Sequence, residues 1–343
     1  MKSFAILSTV ALVGTLVLAS LTSAEPEANV KAPAYDAKLT EYEYPFEVRS
    51  YAFESQQQDL EMAYMYLPAD AGQTTIVLMH GKNFNGAYWE ETARYLNAKG
   101  YGVLIPDQIG FGKSSKPRAY QYSFNQLAAN TRDLMTELGI EKAVILGHSM
   151  GGMVASRFAL SYPEQTEKLV LVNPIGLEDY LDYTTYPTIS DAYESELKKT
   201  GESIIAYQKK NYYDGAWNED YEALTLPLRG WLNGPDKDTL AYVAALTYDM
   251  ILTQPVVNDF SELTVPTSLI LGTRDRTGPN RANKRDGVDY ELGRYDELGE
   301  TVTAMIPNAD LIELDDLGHL PHIEAFDRFT PALDRALGET SAP

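Results

Sequence analysis

Apolar and polar positions along the chain fall into two rhythms. Short apolar runs at Thr75 to Met79, Val103 to Pro106, Ala143 to Leu146, Lys168 to Val172, Thr267 to Leu271 and Asp310 to Leu314 alternate with longer amphipathic stretches. The runs predict strands in a sheet covered on both faces, and the stretches Tyr88 to Ala98, Phe124 to Leu138, Gly151 to Ser161 and His322 to Leu337 predict helices. Ahead of them, Phe46 to Phe53 and Leu60 to Leu67 follow one another without a helix, as a hairpin would. The order implies an α/β fold with a mostly parallel eight-stranded sheet and helices on both faces. The rhythm breaks once, between Pro174 and about Phe260, where helical patches occur without a buried-strand run. Residues 175–260 are therefore expected to form a helical cap, a lid inserted into a core made of 44–174 and 261–337.

The N-terminus follows other rules. Lys2, an 18-residue apolar run from Phe4 to Leu21, and the small residues Thr22-Ser23-Ala24 predict a signal peptide over 1–24. The alternative is an uncleaved anchor, since about 20 apolar residues can span a bilayer. Residues 25–43, rich in Glu, Pro and Ala, read as a flexible tether with no reason to pack. No later segment is long and apolar enough to cross a membrane. The expectation is a secreted or periplasmic protein without stable membrane association once the signal is removed.

Charge narrows the partners. With 28 Lys+Arg against 49 Asp+Glu the 343-residue chain carries a formal charge of −21. That field repels phosphate backbones and argues against nucleic acid. The chain has no cysteine, which removes disulfides, thiolate metal sites and a thiol nucleophile. Only His80, His148, His319 and His322 could carry a proton near neutral pH.

The strongest chemical signal is Gly147-His148-Ser149-Met150-Gly151-Gly152, set between a predicted strand and a predicted helix. A serine on so tight a turn needs glycines two positions away on either side. Its hydroxyl needs a base, and the base needs an orienting acceptor. Downstream, Gly272-Thr273-Arg274-Asp275 places Asp275 after one strand, and Gly318-His319-Leu320-Pro321-His322 places His319 after the last. Sites in open α/β sheets gather at such carboxyl ends, which lets Ser149, Asp275 and His319 converge. His322 is a rival base, better read as capping or packing the final helix, and Glu178 and Asp179 are rival acids. The loop His80-Gly81-Lys82-Asn83-Phe84 would supply an oxyanion site from the backbone N–H groups of Lys82 and Met150. His80 and His148 read as structural.

These motifs, in this order and together with Pro106 to Ser115, resemble the α/β-hydrolase superfamily, in the lidded branch that includes esterases, epoxide hydrolases and haloalkane dehalogenases. The resemblance covers about residues 44 to 337. It implies the α/β-hydrolase fold and treats Gly110-Phe111-Gly112 as architecture. Epoxide hydrolases and haloalkane dehalogenases use an aspartate where Ser149 stands, so the resemblance implies acyl chemistry through a serine ester. Carbon–carbon bond hydrolases with a serine usually carry a glycine-rich loop where this chain has Lys82-Asn83-Phe84.

The leading reading is a serine hydrolase cleaving a carboxylic ester or related acyl bond. Alternatives on the same fold are a cofactor-free perhydrolase or haloperoxidase, a carbon–carbon bond hydrolase and a slow-turnover ligand-binding protein. No metal or organic cofactor is expected. The expected partner is a small acyl substrate, apolar or aromatic to match the tyrosines and tryptophans from Tyr180 to Tyr248. Those rings could instead close the cap onto the core. A basic loop holding Arg274, Arg276, Arg281, Lys284, Arg285 and Arg294 is expected to be solvated and paired with nearby acids rather than to hold a substrate carboxylate.

Overall fold

The computed structural model describes residues 33–339, apart from an isolated Met1. The expected signal peptide and the first part of the tether lie outside the described residues. Eight strands, β1 (Val48–Ser55), β2 (Gln58–Leu67), β3 (Thr75–Met79), β4 (Gly102–Pro106), β5 (Ala143–His148), β6 (Thr166–Val172), β7 (Thr267–Gly272) and β8 (Ala309–Leu314), form one sheet. Its order is β1-β2-β4-β3-β5-β6-β7-β8. The hairpin β1–β2 and the pair β2–β4 are antiparallel, and the other neighbours run parallel.

Alternation sorts the strand side chains between two cores. On β3, Val77 and Met79 join one apolar cluster while Ile76 and Leu78 join the other. On β6, Leu169 and Leu171 face the first, Val170 and Val172 the second. All eight of these side chains are fully buried, each contributing on the order of 2 kcal/mol through lost contact with water. Helices α1 (Glu90–Ala98), α2 (Phe124–Glu137) and α3 (Met150–Ser161) follow β3, β4 and β5. In α2, Ser123 accepts a hydrogen bond from the Gln126 N–H and so caps the helix. Phe124, Leu127, Ala128, Thr131, Leu134 and Met135 then make its buried stripe.

Between β6 and β7 the chain forms six helices: α4 (Tyr180–Tyr183), α5 (Ile189–Leu197), α6 (Gly201–Asn211), α7 (Glu219–Ala223), α8 (Leu226–Asn233) and α9 (Lys237–Thr253). The remaining helices are α10 (Tyr295–Thr303), α11 (Pro321–Glu324) and α12 (Phe326–Leu337). Helix α10 was not expected, and the helix expected over His322 to Leu337 is broken at Ala325, whose backbone leaves the helical region (φ −150°, ψ 74°).

The tether needs correction. Residues 33–43 pack on the folded chain: Leu39 is fully buried, and the Tyr35 N–H donates to the Gly230 carbonyl at 3.0 Å. A Cβ at Gly230 would stand 2.1 Å from the Tyr35 ring. The room for Tyr35 is made by a residue nearly two hundred positions away, and local composition carries no trace of it.

Candidate active site

Ser149, Asp275 and His319 leave the carboxyl ends of β5, β7 and β8, and the loop from His80 to Asn85 leaves β3. Parallel strands therefore aim all four segments at one edge of the sheet. The β5–α3 turn is so tight that Ser149 adopts φ +56° and ψ −124°. A Cβ at Gly147 would stand 2.2 Å from the Gly151 carbonyl oxygen, and one at Gly151 would stand 2.1 Å from that of Met79. Both glycines are demanded by this close approach, and the strain holds the hydroxyl clear of the helix.

The three side chains meet. His319 Nε2 lies 3.0 Å from Ser149 Oγ, and His319 Nδ1 lies 2.7 Å from Asp275 Oδ2. A carboxylate can only accept, so Nδ1 carries the proton and Nε2 is left to accept from the hydroxyl. Asp275 is held by two further donors, the Asn173 side-chain amide at 2.9 Å and the Thr277 N–H at 2.8 Å. Asn173 is fixed in turn, its Oδ1 accepting from the Gly272 N–H at 2.9 Å. Asp275 and His319 are fully buried and Ser149 is 6% exposed. A hydroxyl, an imidazole and an ionised carboxyl in such a line can pass a proton from oxygen to ring while the carboxylate steadies the cation that forms.

A second line of polar groups runs behind the first. His148 Nε2 lies 2.8 Å from the main-chain oxygen of His319, and His148 Nδ1 lies 2.9 Å from the Tyr88 hydroxyl. The carbonyl fixes the donor at Nε2, so Nδ1 accepts from Tyr88, whose oxygen accepts the Gly81 N–H at 3.1 Å. Burial holds the His148 imidazole well below its ordinary range, so this line stays neutral. His80 also serves the scaffold: it bonds the Gly81 carbonyl at 2.9 Å and accepts the Gln108 N–H at 3.1 Å. His322, the rival base, stacks on Trp89 with centroids 4.5 Å apart, and neither of its nitrogens has a partner among the described residues. Burial pushes it down to about 3, and it packs as expected.

The proposed oxyanion loop lies against the serine: a Cβ on Gly81 would stand 3.0 Å from Ser149 Cβ. Met150 opens α3, where the first amides have no partner within the helix. The rival acids lie elsewhere. Glu178 accepts the Gly293 N–H at 3.0 Å, and Asp179 caps α4. Half of the basic loop is paired with acids: Arg274 meets Asp316 and Glu324, Arg276 meets Asp296, and Arg294 meets Glu291, Asp296 and Glu297, whereas Arg281 and Arg285 donate to the main-chain oxygens of Arg276 and Thr184. From the six-helix segment, Tyr212 stacks on His319 with centroids 4.6 Å apart and rings inclined by 27°. Sequence reasoning gave no role to Tyr88 or Asn173, and it counted Tyr212 only among the rings from Tyr180 to Tyr248.

A family model described as the alpha/beta hydrolase fold matches residues 74–326. The chain belongs to the α/β-hydrolase fold family. A probable hydrolytic enzyme of Pseudomonas aeruginosa PAO1, known from its crystal structure, is 44% identical, with 90% of this chain and 99% of that chain covered and a TM-score of 0.87. Among curated proteins, the 2-hydroxy-6-oxo-6-phenylhexa-2,4-dienoate hydrolase of Burkholderia cepacia is 38% identical over 112 residues, which is 32% of this chain and 39% of that protein. A Synechocystis sp. protein provisionally named a non-heme chloroperoxidase is 39% identical over 111 residues, 32% of this chain and 40% of that one. The chain thus spans two fifths or less of the length of either curated relative. As an α/β-hydrolase, this protein has its polar residues at the sheet edge where the fold gathers its chemistry.

Proposed function

We propose that this α/β-hydrolase is a serine enzyme that cleaves a carboxylic ester or related acyl bond through an acyl-enzyme intermediate. The unbroken hydrogen-bonded line from Ser149 through His319 to Asp275, with the serine on its strained turn, carries this reading. Ser149 Oγ attacks the acyl carbon as His319 Nε2 takes its proton. Asp275 stabilises the imidazolium, and the Lys82 and Met150 N–H groups receive the oxyanion. The tetrahedral adduct collapses as His319 returns the proton to the leaving alcohol. Water, deprotonated by His319, then frees the acid and restores the serine.

Tyr212 over His319, with Tyr207 at 5.5 Å from it, favours an apolar or aromatic acyl group. The charge pattern and apolar run of residues 2–24 support export to the periplasm or medium. The Burkholderia relative favours one second reading, hydrolysis of a carbon–carbon bond beside a ketone with the same serine and histidine. A panel of esters of graded acyl length, a ring-fission diketone and a peroxide-dependent halide assay separates these readings. The expected result is ester turnover that falls by about 10⁴-fold or more in Ser149→Ala. Turnover of the diketone alone, or of halide alone, would replace the ester reading.

A further inference from the structure

The loop that carries the proposed Lys82 donor is held from the side of the six inserted helices. Lys82 Nζ donates to the Ala244 carbonyl at 2.8 Å and to Thr247 Oγ1 at 2.9 Å, both on α9. The next residue, Asn83, donates its side-chain amide to the Tyr212 hydroxyl at 2.8 Å. Tyr212 ends α6, and besides stacking on His319 it takes the His319 N–H on its own carbonyl at 3.3 Å. Two neighbouring residues of one loop are thus fastened to two helices of the insertion, and one of those attachments also touches the base.

Lys82 is unusual in its company. Both acceptors of its ammonium are neutral, and Glu196, whose charge reaches it, is taken by Lys199 at 2.7 Å. Burial pushes the amine down to about 8. A cation among neutral partners is a poor source of stability. Its other end explains it better, because the same residue bears the N–H proposed as oxyanion donor and directly follows Gly81, whose Cβ position lies 3.0 Å from Ser149 Cβ. Preorganised donors accelerate acyl transfer only if their direction is fixed before charge develops. A side chain tethered at Nζ restricts the peptide that carries that N–H.

We propose that the Lys82 side chain is a positioning residue, and that through it and Tyr212 the helical insertion completes the reactive centre by fixing the oxyanion loop and the imidazole together. The inference rests on the serine-hydrolase reading. Loss of positioning weakens the transition state more than ground-state binding, so the effect belongs in kcat. The test uses the full chain with a small acetate ester. Lys82→Met is expected to lower kcat roughly tenfold, below the roughly hundredfold or more of a deleted donor, with KM changed by less than about twofold. Tyr212→Phe keeps the stack but removes Asn83's acceptor, and a smaller fall in kcat is expected. The chain has no cysteine, so Lys82→Cys creates a single thiol. Alkylation of that thiol with bromoethylamine rebuilds an amine of near-lysine length and should restore kcat, whereas alkylation with bromopropane should not. A wild-type kcat in Lys82→Met, a loss confined to KM, or equal rescue by both reagents would overturn the positioning role. Ser149→Ala measured alongside separates the two claims: if it still turns over the ester, the serine-hydrolase reading itself falls.

Discussion

The site is built from two unequal supports. Ser149, Asp275 and His319 follow β5, β7 and β8; β5 and β7 are buried along their whole length between two apolar clusters, and β8 pairs with β7 as the half-exposed edge strand. Tyr212 approaches from the end of α6, where only Ile204 and Gln208 are buried, and Ala244 and Thr247 from α9, which buries eight of its 17 residues. The insertion meets the reacting groups largely through side-chain hydrogen bonds and one ring stack. The contrast teaches a division of labour. The sheet brings the proton line to hydrogen-bonding distance, 3.0 and 2.7 Å, and the insertion adds side-chain restraints around it.

Three perturbations break or sharpen that contrast. The largest effect is expected on the sheet side. Asp275→Asn keeps the shape but reverses the hydrogen-bonding demand on His319 Nδ1, and kcat should fall about 10⁴-fold with the folded structure retained. Steady-state kinetics beside circular dichroism check it; a fall of less than about tenfold would separate Asp275 from the chemistry.

Next is the buried ring behind the line. His322 is held neutral to about 3 by burial, whereas in the unfolded chain it takes a proton near pH 6.5. Between those values the unfolded state binds more protons, so stability falls as the pH falls. His322→Phe removes that proton and suits the Trp89, Tyr88 and Phe329 rings around it. The variant should therefore gain about 2 kcal/mol on the wild type between pH 7 and pH 5 in urea unfolding. Parallel pH curves would show that the ring is protonated in the native state.

The smallest effect is expected in the insertion. Thr200 and Ser203 form a reciprocal capping box at the start of α6. Thr200→Ala should lower stability by about 1 kcal/mol. Hydrogen exchange should show the loss in α6 amides, leaving β3 and β5 unchanged. Equal acceleration in β5 would mean that the two supports unfold as one.

How much of this was legible from sequence follows the same division. Strands β3 to β7 show plainly because burial on both faces demands apolar runs, and the oxyanion loop, Ser149 and Asp275 follow such runs, whereas His319 follows the half-exposed edge strand β8. Helix α10 hides because it is only nine residues long and Gly299, a poor helix former, interrupts the buried stripe of Tyr295, Leu298 and Val302. The packing of Tyr35 depends on the absent side chain of Gly230. Asn173, Tyr88 and Tyr212 act through a few polar and ring contacts, among them those to residues 60 to 107 positions away. Such pairings leave no period and no local motif.

The proposed reaction turns on a covalent step at one oxygen. The direct measurement is rapid acid quench of the protein turning over an acetate ester, followed by mass analysis of the peptide that contains residue 149. An acetyl group on Ser149, absent from Ser149→Ala and accumulating within the first turnover, is the predicted result. Turnover with the peptide unmodified throughout, or an acetyl group on a different residue that persists in Ser149→Ala, would contradict it.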